Sequence, residues 1–163
     1  MINGAFTVIY CTNIGKYLFL KRKDKGLYDL SGGGFDPNEI RYKTVAIREI
    51  MEETGISVSE DDLKLCAILG QRLKKEMVVK YNVEYGFVFV LCLILYDTPI
   101  VTISEEHLGY DFFTYEEIVE NYLKFSSGSL WQFFSYLKFL ETHTIQEGLL
   151  KDRSYWKGKN YVL

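Results

Sequence analysis

The sequence predicts an α/β domain, in which strands and helices share one core. Segments rich in β-branched and aromatic residues alternate with segments whose apolar residues recur at helical spacing. A run of three glycines, Gly32 to Gly34, leads into the first helical segment. The 163 residues, 48% of them hydrophobic, are enough for one domain with a substantial core.

The N-terminal part predicts a β-hairpin followed by a helix. Residues 5–12 and 17–21 are rich in β-branched and aromatic residues, and Asn13-Ile14-Gly15 separates them. The glycine run is interpreted as a turn. The spacing then predicts a helix over residues 40–54, with Gly55 as its C-terminal stop. Its apolar side would pack on a sheet, and its acidic side would face a cleft.

Two further strand-forming stretches are predicted after this helix. Residues 63–72 form one of them, and residues 77–96 are long enough for two, with Lys74-Lys75-Glu76 as a loop. Asp97-Thr98-Pro99 marks a turn at the end of this region. The middle of the domain is therefore expected to be built mainly of sheet.

The C-terminal part predicts a short strand at Phe112-Phe113 and two helices. Thr114 and Glu117 form the capping box that begins the first of these helices. The second covers residues 129–142, and its polar stripe is narrow: Ser129, Gln132, Ser135 and Lys138. A helix so apolar must be covered widely, by the sheet, by a partner subunit or by both, so a homodimer is a candidate assembly.

Composition favours a cytoplasmic globular protein. The net charge of −3 gives no basic field to attract nucleic acid or membranes, so we do not expect long nucleic acid as a partner. The odd number of cysteines (Cys11, Cys66, Cys92) lie far apart in apolar stretches, which indicates reduced, buried thiols. No signal peptide is evident, and the longest apolar run, residues 86–96, is too short to span a bilayer as a helix.

Three glutamates at the end of the first helix break ordinary rules. Glu49, Glu52 and Glu53 are spaced i, i+3 and i+4, so they project from one face. Like charges crowd each other there, close to the negative end of the helix dipole. Rule-breaking of this kind is typical of functional sites. A hard divalent cation with oxygen ligands, Mg²⁺ or Mn²⁺, is the simplest partner for three converging carboxylates.

This region resembles the signature of Nudix hydrolases. Gly33 to Glu39 fits its opening, and Arg48-Glu49-Ile50-Met51-Glu52-Glu53-Thr54-Gly55-Ile56 fits its second part at every defined position. The preceding Tyr28-Asp29-Leu30-Ser31-Gly32-Gly33 is similar to the family's lead-in Trp-x-Leu-Pro-Gly-Gly, with Tyr and Ser substituted. The signature covers about a seventh of the chain, and the order of elements extends the resemblance over residues 5–123.

The chain departs from the signature at two points. Eight residues, where the family has seven, separate Glu39 from Arg48, so one extra residue lies in the loop or in the first helical turn. Asn38 stands where the family usually has Gly, a mild change because Asn tolerates left-handed backbone. If Gly34 were the motif glycine, Ile40 would replace the first glutamate. We prefer the insertion, because Glu39 then keeps its place.

The resemblance implies a fold and an activity. The fold would be an α/β/α sandwich around a mixed sheet, one domain over residues 1–163, with residues 129–163 as an extension. The activity would be Mg²⁺-dependent hydrolysis, with Mn²⁺ as an alternative metal. The substrate would be a nucleoside diphosphate linked to another group, such as a nucleoside triphosphate, a modified nucleotide or a nucleotide sugar. Water would attack phosphorus, and the partner would be a small-molecule nucleotide.

The resemblance also implies the roles of the site residues. Glu49, Glu52 and Glu53 would coordinate the metal, with the Gly32 carbonyl as a further ligand. Arg48 would orient the carboxylates through a salt bridge to Glu39.

The general base is left open between several acids. Glu49 is the first candidate and Glu106 the second, with Glu105 and Asp111 behind them. Glu84, on a predicted central strand, is an outside candidate for a metal ligand.

Two other functions remain open at this point. One is a Nudix-fold module that binds nucleotides without turnover, which the intact Arg-Glu-x-x-Glu-Glu set argues against and the residue inserted before Arg48 favours. The other is an isoprenoid-diphosphate isomerase on the same fold. That chemistry requires a placed cysteine, and all three cysteines are expected to be buried.

Overall fold

The backbone of residues 3–149, described by a computed structural model, forms strands joined by helices. The strands are β1 (Gly4–Cys11), β2 (Lys16–Arg22), β3 (Tyr28–Asp29), β4 (Ser31–Gly34), β5 (Leu63–Arg72), β6 (Tyr85–Leu95), β7 (His107–Phe113) and β8 (Gln146–Leu149). The helices are α1 (Tyr42–Thr54), α2 (Lys75–Tyr81), α3 (Tyr115–Glu120) and α4 (Ser127–Thr142). Single 3₁₀ turns lie at Glu60–Asp62 and Tyr122–Lys124.

All of these strands join one mixed sheet. Its order is β3-β2-β1-β6-β5-β8, while β4 pairs with β1 and β7 pairs with β2. The β1–β6 and β5–β8 pairs are parallel, and the others are antiparallel.

Strand β1 has two different neighbours along one edge. Near its end, Ile9 to Cys11 pair with β2, whereas Gly4 to Thr7 pair with β4. Strand β6 occupies the other edge of β1 throughout. Strand β2 leaves β1 to pair with β7, so the sheet splits where the glycines of β4 lie.

Two hydrophobic clusters cover the two faces of the sheet. Successive residues of β1 point to opposite faces, so Ile9 belongs to the cluster under α1 and Val8 to the cluster under α4. The α4 cluster is rich in aromatic rings, with Phe133 packed edge-on against Tyr17 at a centroid distance of 4.8 Å. Helices on both faces of a mixed sheet confirm the predicted α/β/α sandwich.

Several predicted elements are confirmed. The hairpin is formed by β1 and β2, and β5 has the predicted bounds. Helix α1 ends at Gly55, which adopts left-handed backbone with φ of 73° and donates its N–H to the Met51 carbonyl. The capping box of Thr114 and Glu117 begins α3.

Other predictions of local structure are wrong. The segment Lys74-Lys75-Glu76 is not a loop, because Lys75 and Glu76 are the first residues of α2 and Lys74 is its N-cap, and β6 begins only at Tyr85. Met77, Val78 and Val79 gave this segment a strand-like pattern, yet α2 has no buried residue. Helix α1 begins at Tyr42, two residues later than expected, so residues 40 and 41 belong to the preceding loop.

The narrow polar stripe of α4 is buried at its N-terminal end. Ser129 Oγ accepts a hydrogen bond from the Leu30 N–H and donates one to Asp29, each at 3.0 Å. The side chain of Gln132 is buried as well. The sheet therefore covers α4 more widely than the sequence pattern indicates.

The three cysteines are free thiols buried in the core, as predicted. Within residues 3–149, no helix has both the length and the apolar character needed to cross a membrane. Of the predicted C-terminal extension, residues 129–149 form most of α4 and all of β8, and the rest lies outside the described residues.

Candidate active site

The glycines of β4 allow α1 to approach the sheet closely. A Cβ on Gly33 would lie 2.4 Å from Glu49 Oε1, and a Cβ on Gly32 would lie 2.4 Å from the Ala5 carbonyl oxygen. Neither glycine has a positive φ, because both lie in an extended strand. The predicted turn is therefore wrong. These positions need glycine for space and not for an unusual backbone conformation.

The Arg48 guanidinium binds four groups at once. Its Nε and Nη2 donate to the two carboxylate oxygens of Glu39 at 2.8 and 2.9 Å. Its Nη1 donates to Glu49 at 2.9 Å and to Glu52 at 3.2 Å. Its Nη2 also donates to the Gly34 carbonyl at 2.9 Å. The Arg48 side chain thus connects β4 with the loop before α1 and with two acids of α1.

The extra residue between Glu39 and Arg48 is accommodated in the loop. Glu39 accepts a hydrogen bond from the Asp36 N–H at 2.7 Å, and Arg48 lowers the pKa of its carboxyl group. Ile40 is 89% exposed and has no part in these contacts. The geometry therefore supports aligning Glu39, and not Ile40, with the first glutamate of the signature.

Glu53 is buried, and its hydrogen-bond donors differ from those of Glu49 and Glu52. It is 6% exposed, and its Oε1 accepts from the Gly32 N–H at 2.7 Å and from the Ser31 hydroxyl at 3.2 Å. Its Oε2 lies 3.2 Å from His107 Nε2. The pKa of Glu53 is raised to about 8, mainly by burial and also by the charge of Glu49, against the lowering effect of the Gly32 N–H.

Five of the predicted acids line one cavity of about 640 Å³ at the split in the sheet. It is lined by Arg22, Gly32, Gly33, Gly34, Arg48, Glu49, Glu52, Glu53, Ser104, Glu105 and Glu106. Glu39 contacts it through Arg48.

Two candidate acids lie elsewhere. The carboxylate of Asp111 accepts a hydrogen bond from the Tyr28 hydroxyl and does not line the cavity. Glu84 is not on a strand but in the bend before β6, where it lines a different depression together with Arg72 and Lys75. Neither is placed to serve as a base or as a metal ligand in the cavity.

Three residues that contribute to the site are not among the predicted site residues. Arg22, at the end of β2, lines the cavity and is held by Asp24 at 2.9 Å and by Asp29 at 3.6 Å. A basic residue at the end of a hairpin strand was the available signal. Ser31 stands out in the sequence only as a substitution in the lead-in, and His107 only as the neighbour of Glu106, because their contacts with Glu53 exist only in the folded chain.

The cavity carries an excess of negative charge. Five carboxylates line it against two guanidinium groups, and burial raises the pKa of Glu49. Oxygen donors with uncompensated negative charge suit a hard divalent cation. In this conformation, however, no three acidic, histidine or cysteine side chains of residues 3–149 lie close enough together to hold a metal. Arg48 separates Glu49 and Glu52, so metal binding requires these side chains to rotate.

Comparison with known proteins identifies the family. The model of the NUDIX domain matches residues 1–133, so the chain belongs to the Nudix family. A Bacillus subtilis (strain 168) protein named "Putative 8-oxo-dGTP diphosphatase" is 46% identical over 56 residues. That match covers 34% of this chain and 36% of the relative, so it spans about a third of the relative's length.

Solved structures share the fold. The Escherichia coli dihydroneopterin triphosphate pyrophosphohydrolase is similar with a TM-score of 0.64 and 20% identity, over 86% of this chain and 96% of that one. The NUDIX domain of Shewanella oneidensis NrtR, solved with ADP ribose, gives a TM-score of 0.68 and 12% identity, over 86% and 88% of the two chains. At these identities the comparison shows the fold alone.

Replacing Arg48 by alanine should lower the free energy of unfolding by about 2 kcal/mol, because the partly buried Glu39 and Glu49 lose their charged donor. Urea denaturation measures the change. Arg41→Ala is the matched control, since Arg41 makes one exposed ion pair with Glu60, and its loss should stay below about 1 kcal/mol. Equal losses for the two variants would contradict the structural role given to Arg48.

Proposed function

We propose that this chain is a divalent-metal-dependent pyrophosphohydrolase that cleaves a nucleoside diphosphate linked to another group. The observation that carries the proposal is the cavity at the split in the sheet, where the signature carboxylates meet the glycine strand. Membership of the Nudix family supports it, because this family is generally dependent on divalent metals.

Glu49, Glu52 and Glu53 would hold the metal, with the carbonyl of Gly32. In an extended strand, the N–H and C=O of one residue point to the same side. The Gly32 N–H points away from β1 toward Glu53, so its carbonyl is also directed away from β1. Glu52 is the most exposed of these three acids, since its side chain is 57% exposed and, in the part of the chain that the structure describes, its ion pair is with Arg48.

Mg²⁺ or Mn²⁺ would neutralise phosphate charge and lower the pKa of an attacking water. Arg48 and Glu39 would keep the α1 carboxylates oriented during this reaction, since they connect α1 to β4. The proton of the water would pass to Glu49, with Glu106 as the second candidate, because both carboxylates line the cavity.

Arg22 would bind a substrate phosphate. Arg48 already donates to three carboxylates and a carbonyl. Within the described residues, the guanidinium of Arg22 has as partners the exposed Asp24 and, more distantly, Asp29. A phosphate in the cavity can replace Asp24 as the partner of Arg22, because arginine binds phosphate with the same paired geometry as carboxylate.

A modified nucleoside triphosphate is the substrate class we favour. The name of the Bacillus subtilis relative makes 8-oxo-dGTP the first compound to test. The net charge of −3 favours a small nucleotide over a long nucleic acid, because binding a polyanion depends on basic surface.

The direct test is product release from 8-oxo-dGTP, dGTP, ADP-ribose and a nucleotide sugar, with Mg²⁺, with Mn²⁺ and with EDTA. We expect metal-dependent hydrolysis of at least one compound: the triphosphates would release pyrophosphate or phosphate, and ADP-ribose or the nucleotide sugar would give a nucleoside monophosphate and a sugar phosphate. Glu49→Gln should reduce kcat about 100-fold or more, because it removes a ligand and the candidate base.

The matched control for that substitution is Glu116→Gln, in the first turn of α3 and outside the cavity, which should retain wild-type kcat. No release from any compound, while nucleotides still raise the melting temperature, would instead favour a binding module without turnover.

Replacing Arg22 by alanine should raise KM for the best substrate about tenfold, because one charge-assisted contact to phosphate is lost. Steady-state kinetics measures the change, and Lys23→Ala, an exposed neighbour outside the cavity, is the control. An unchanged KM would show that Arg22 does not contact the substrate.

A further inference from the structure

We infer that His107 is a positioning residue, which holds the carboxylate of Glu53 in the orientation that the metal site needs. This inference rests on the proposed function and extends it to a residue outside the signature. His107 Nε2 and Glu53 Oε2 are 3.2 Å apart, and the two side chains are only 3% and 8% exposed. Water is thus largely excluded from the contact.

The two carboxylate oxygens of Glu53 have different partners and, in this proposal, different roles. Oε1 already accepts two hydrogen bonds, from the Gly32 N–H and the Ser31 hydroxyl. Each carboxylate oxygen offers about two lone pairs, so these donors fill Oε1. Within residues 3–149, the polar contact of Oε2 is the one with His107 Nε2, so Oε2 retains a lone pair for a metal. His107 therefore orients the oxygen of Glu53 that remains free to ligate.

The two neighbours of the His107 imidazole, Glu53 and Ser104, indicate which of its ring nitrogens carries the hydrogen. When Glu53 is ionised, as a metal ligand is, its oxygens only accept, so in that state Nε2 carries the hydrogen that faces Glu53. A neutral imidazole in this tautomer has an acceptor at Nδ1, and the Ser104 hydroxyl, 3.1 Å from that atom, is placed to donate to it. Metal-site carboxylates and imidazoles are commonly oriented by partners of this kind.

A β-bulge aims His107 toward Glu53. Strand β7 pairs Gly109 with Lys21 and His107 with Arg22, so Leu108 is an extra residue opposite this step of β2. The side chain of Leu108 is 57% exposed, while that of His107 is buried. Bulges redirect side chains in this way next to active sites. The backbone N–H of His107 also donates to the Ser104 carbonyl at 3.2 Å, which fixes the start of the strand.

The experiment is a titration with Mn²⁺ alone, followed by electron paramagnetic resonance. The wild type is compared with His107→Leu, which removes the donor, and His107→Gln, whose amide NH₂ can replace Nε2–H. His143→Gln is the matched control, because His143 is exposed at the end of α4. Melting temperatures without metal report the folding of each variant.

His107→Leu should weaken Mn²⁺ binding by about 10- to 100-fold, His107→Gln should recover most of this loss, and the control should bind as the wild type does. Wild-type affinity in His107→Leu would overturn the inference. So would equal losses in both His107 variants, since a packing role is not rescued by an amide.

A second variant keeps the test decisive if His107→Leu does not fold. Ser104→Ala removes only the hydroxyl that fixes the tautomer, and it should weaken Mn²⁺ binding by a smaller factor, about 3- to 10-fold. Unchanged binding by Ser104→Ala would then overturn the inference. If the wild type itself fails to bind Mn²⁺, the proposed metal site is wrong, a result distinct from wild type and variants binding equally.

Discussion

The bidentate pair between Arg48 and Glu39 is the interaction on which the rest of the site depends. It connects the loop before α1 to the helix, while the same guanidinium reaches the Gly34 carbonyl on β4. Charge-assisted, paired hydrogen bonds fix both the distance and the angle between their two partners. Helix α1 and strand β4 are therefore positioned relative to the same guanidinium group. The carboxylates of Glu49 and Glu52 are then positioned by backbone geometry and by two further bonds from Arg48.

The site concentrates negative charge that the positively charged side chains around it do not fully neutralise. Helix α1 presents Glu49, Glu52 and Glu53 in two turns, and the loop before β7 adds Glu105 and Glu106. Crowded and partly buried carboxylates are costly without a cation. The fold tolerates these carboxylates because different groups hold them. Arg48 donates to Glu49 and Glu52. Ser31 and Gly32 of β4 donate to Glu53, which His107 of β7 also contacts. This division leaves oxygens available for a metal.

The sequence predicts what depends on local pattern. The hairpin, helix α1 and the projection of the three glutamates from one face of α1 follow from periodicity and spacing. The register of the signature predicts the Arg48–Glu39 pair. The sequence does not predict α2, whose β-branched residues resemble a strand and which no tertiary contact buries. Nor does it predict the contact between His107 and Glu53, because that contact depends on a bulge and on two elements distant in sequence. Pairing partners and bulges are set by tertiary packing, which local pattern does not encode.

The central claim is that the carboxylates of α1 bind a divalent metal beside the glycine strand. The most direct measurement is an anomalous difference map from crystals grown with Mn²⁺. The account predicts a peak in the cavity, with Glu52 rotated away from Arg48 and with the Gly32 carbonyl among the ligands. A map without a peak there, in which Arg48 still binds both Glu49 and Glu52, would contradict it.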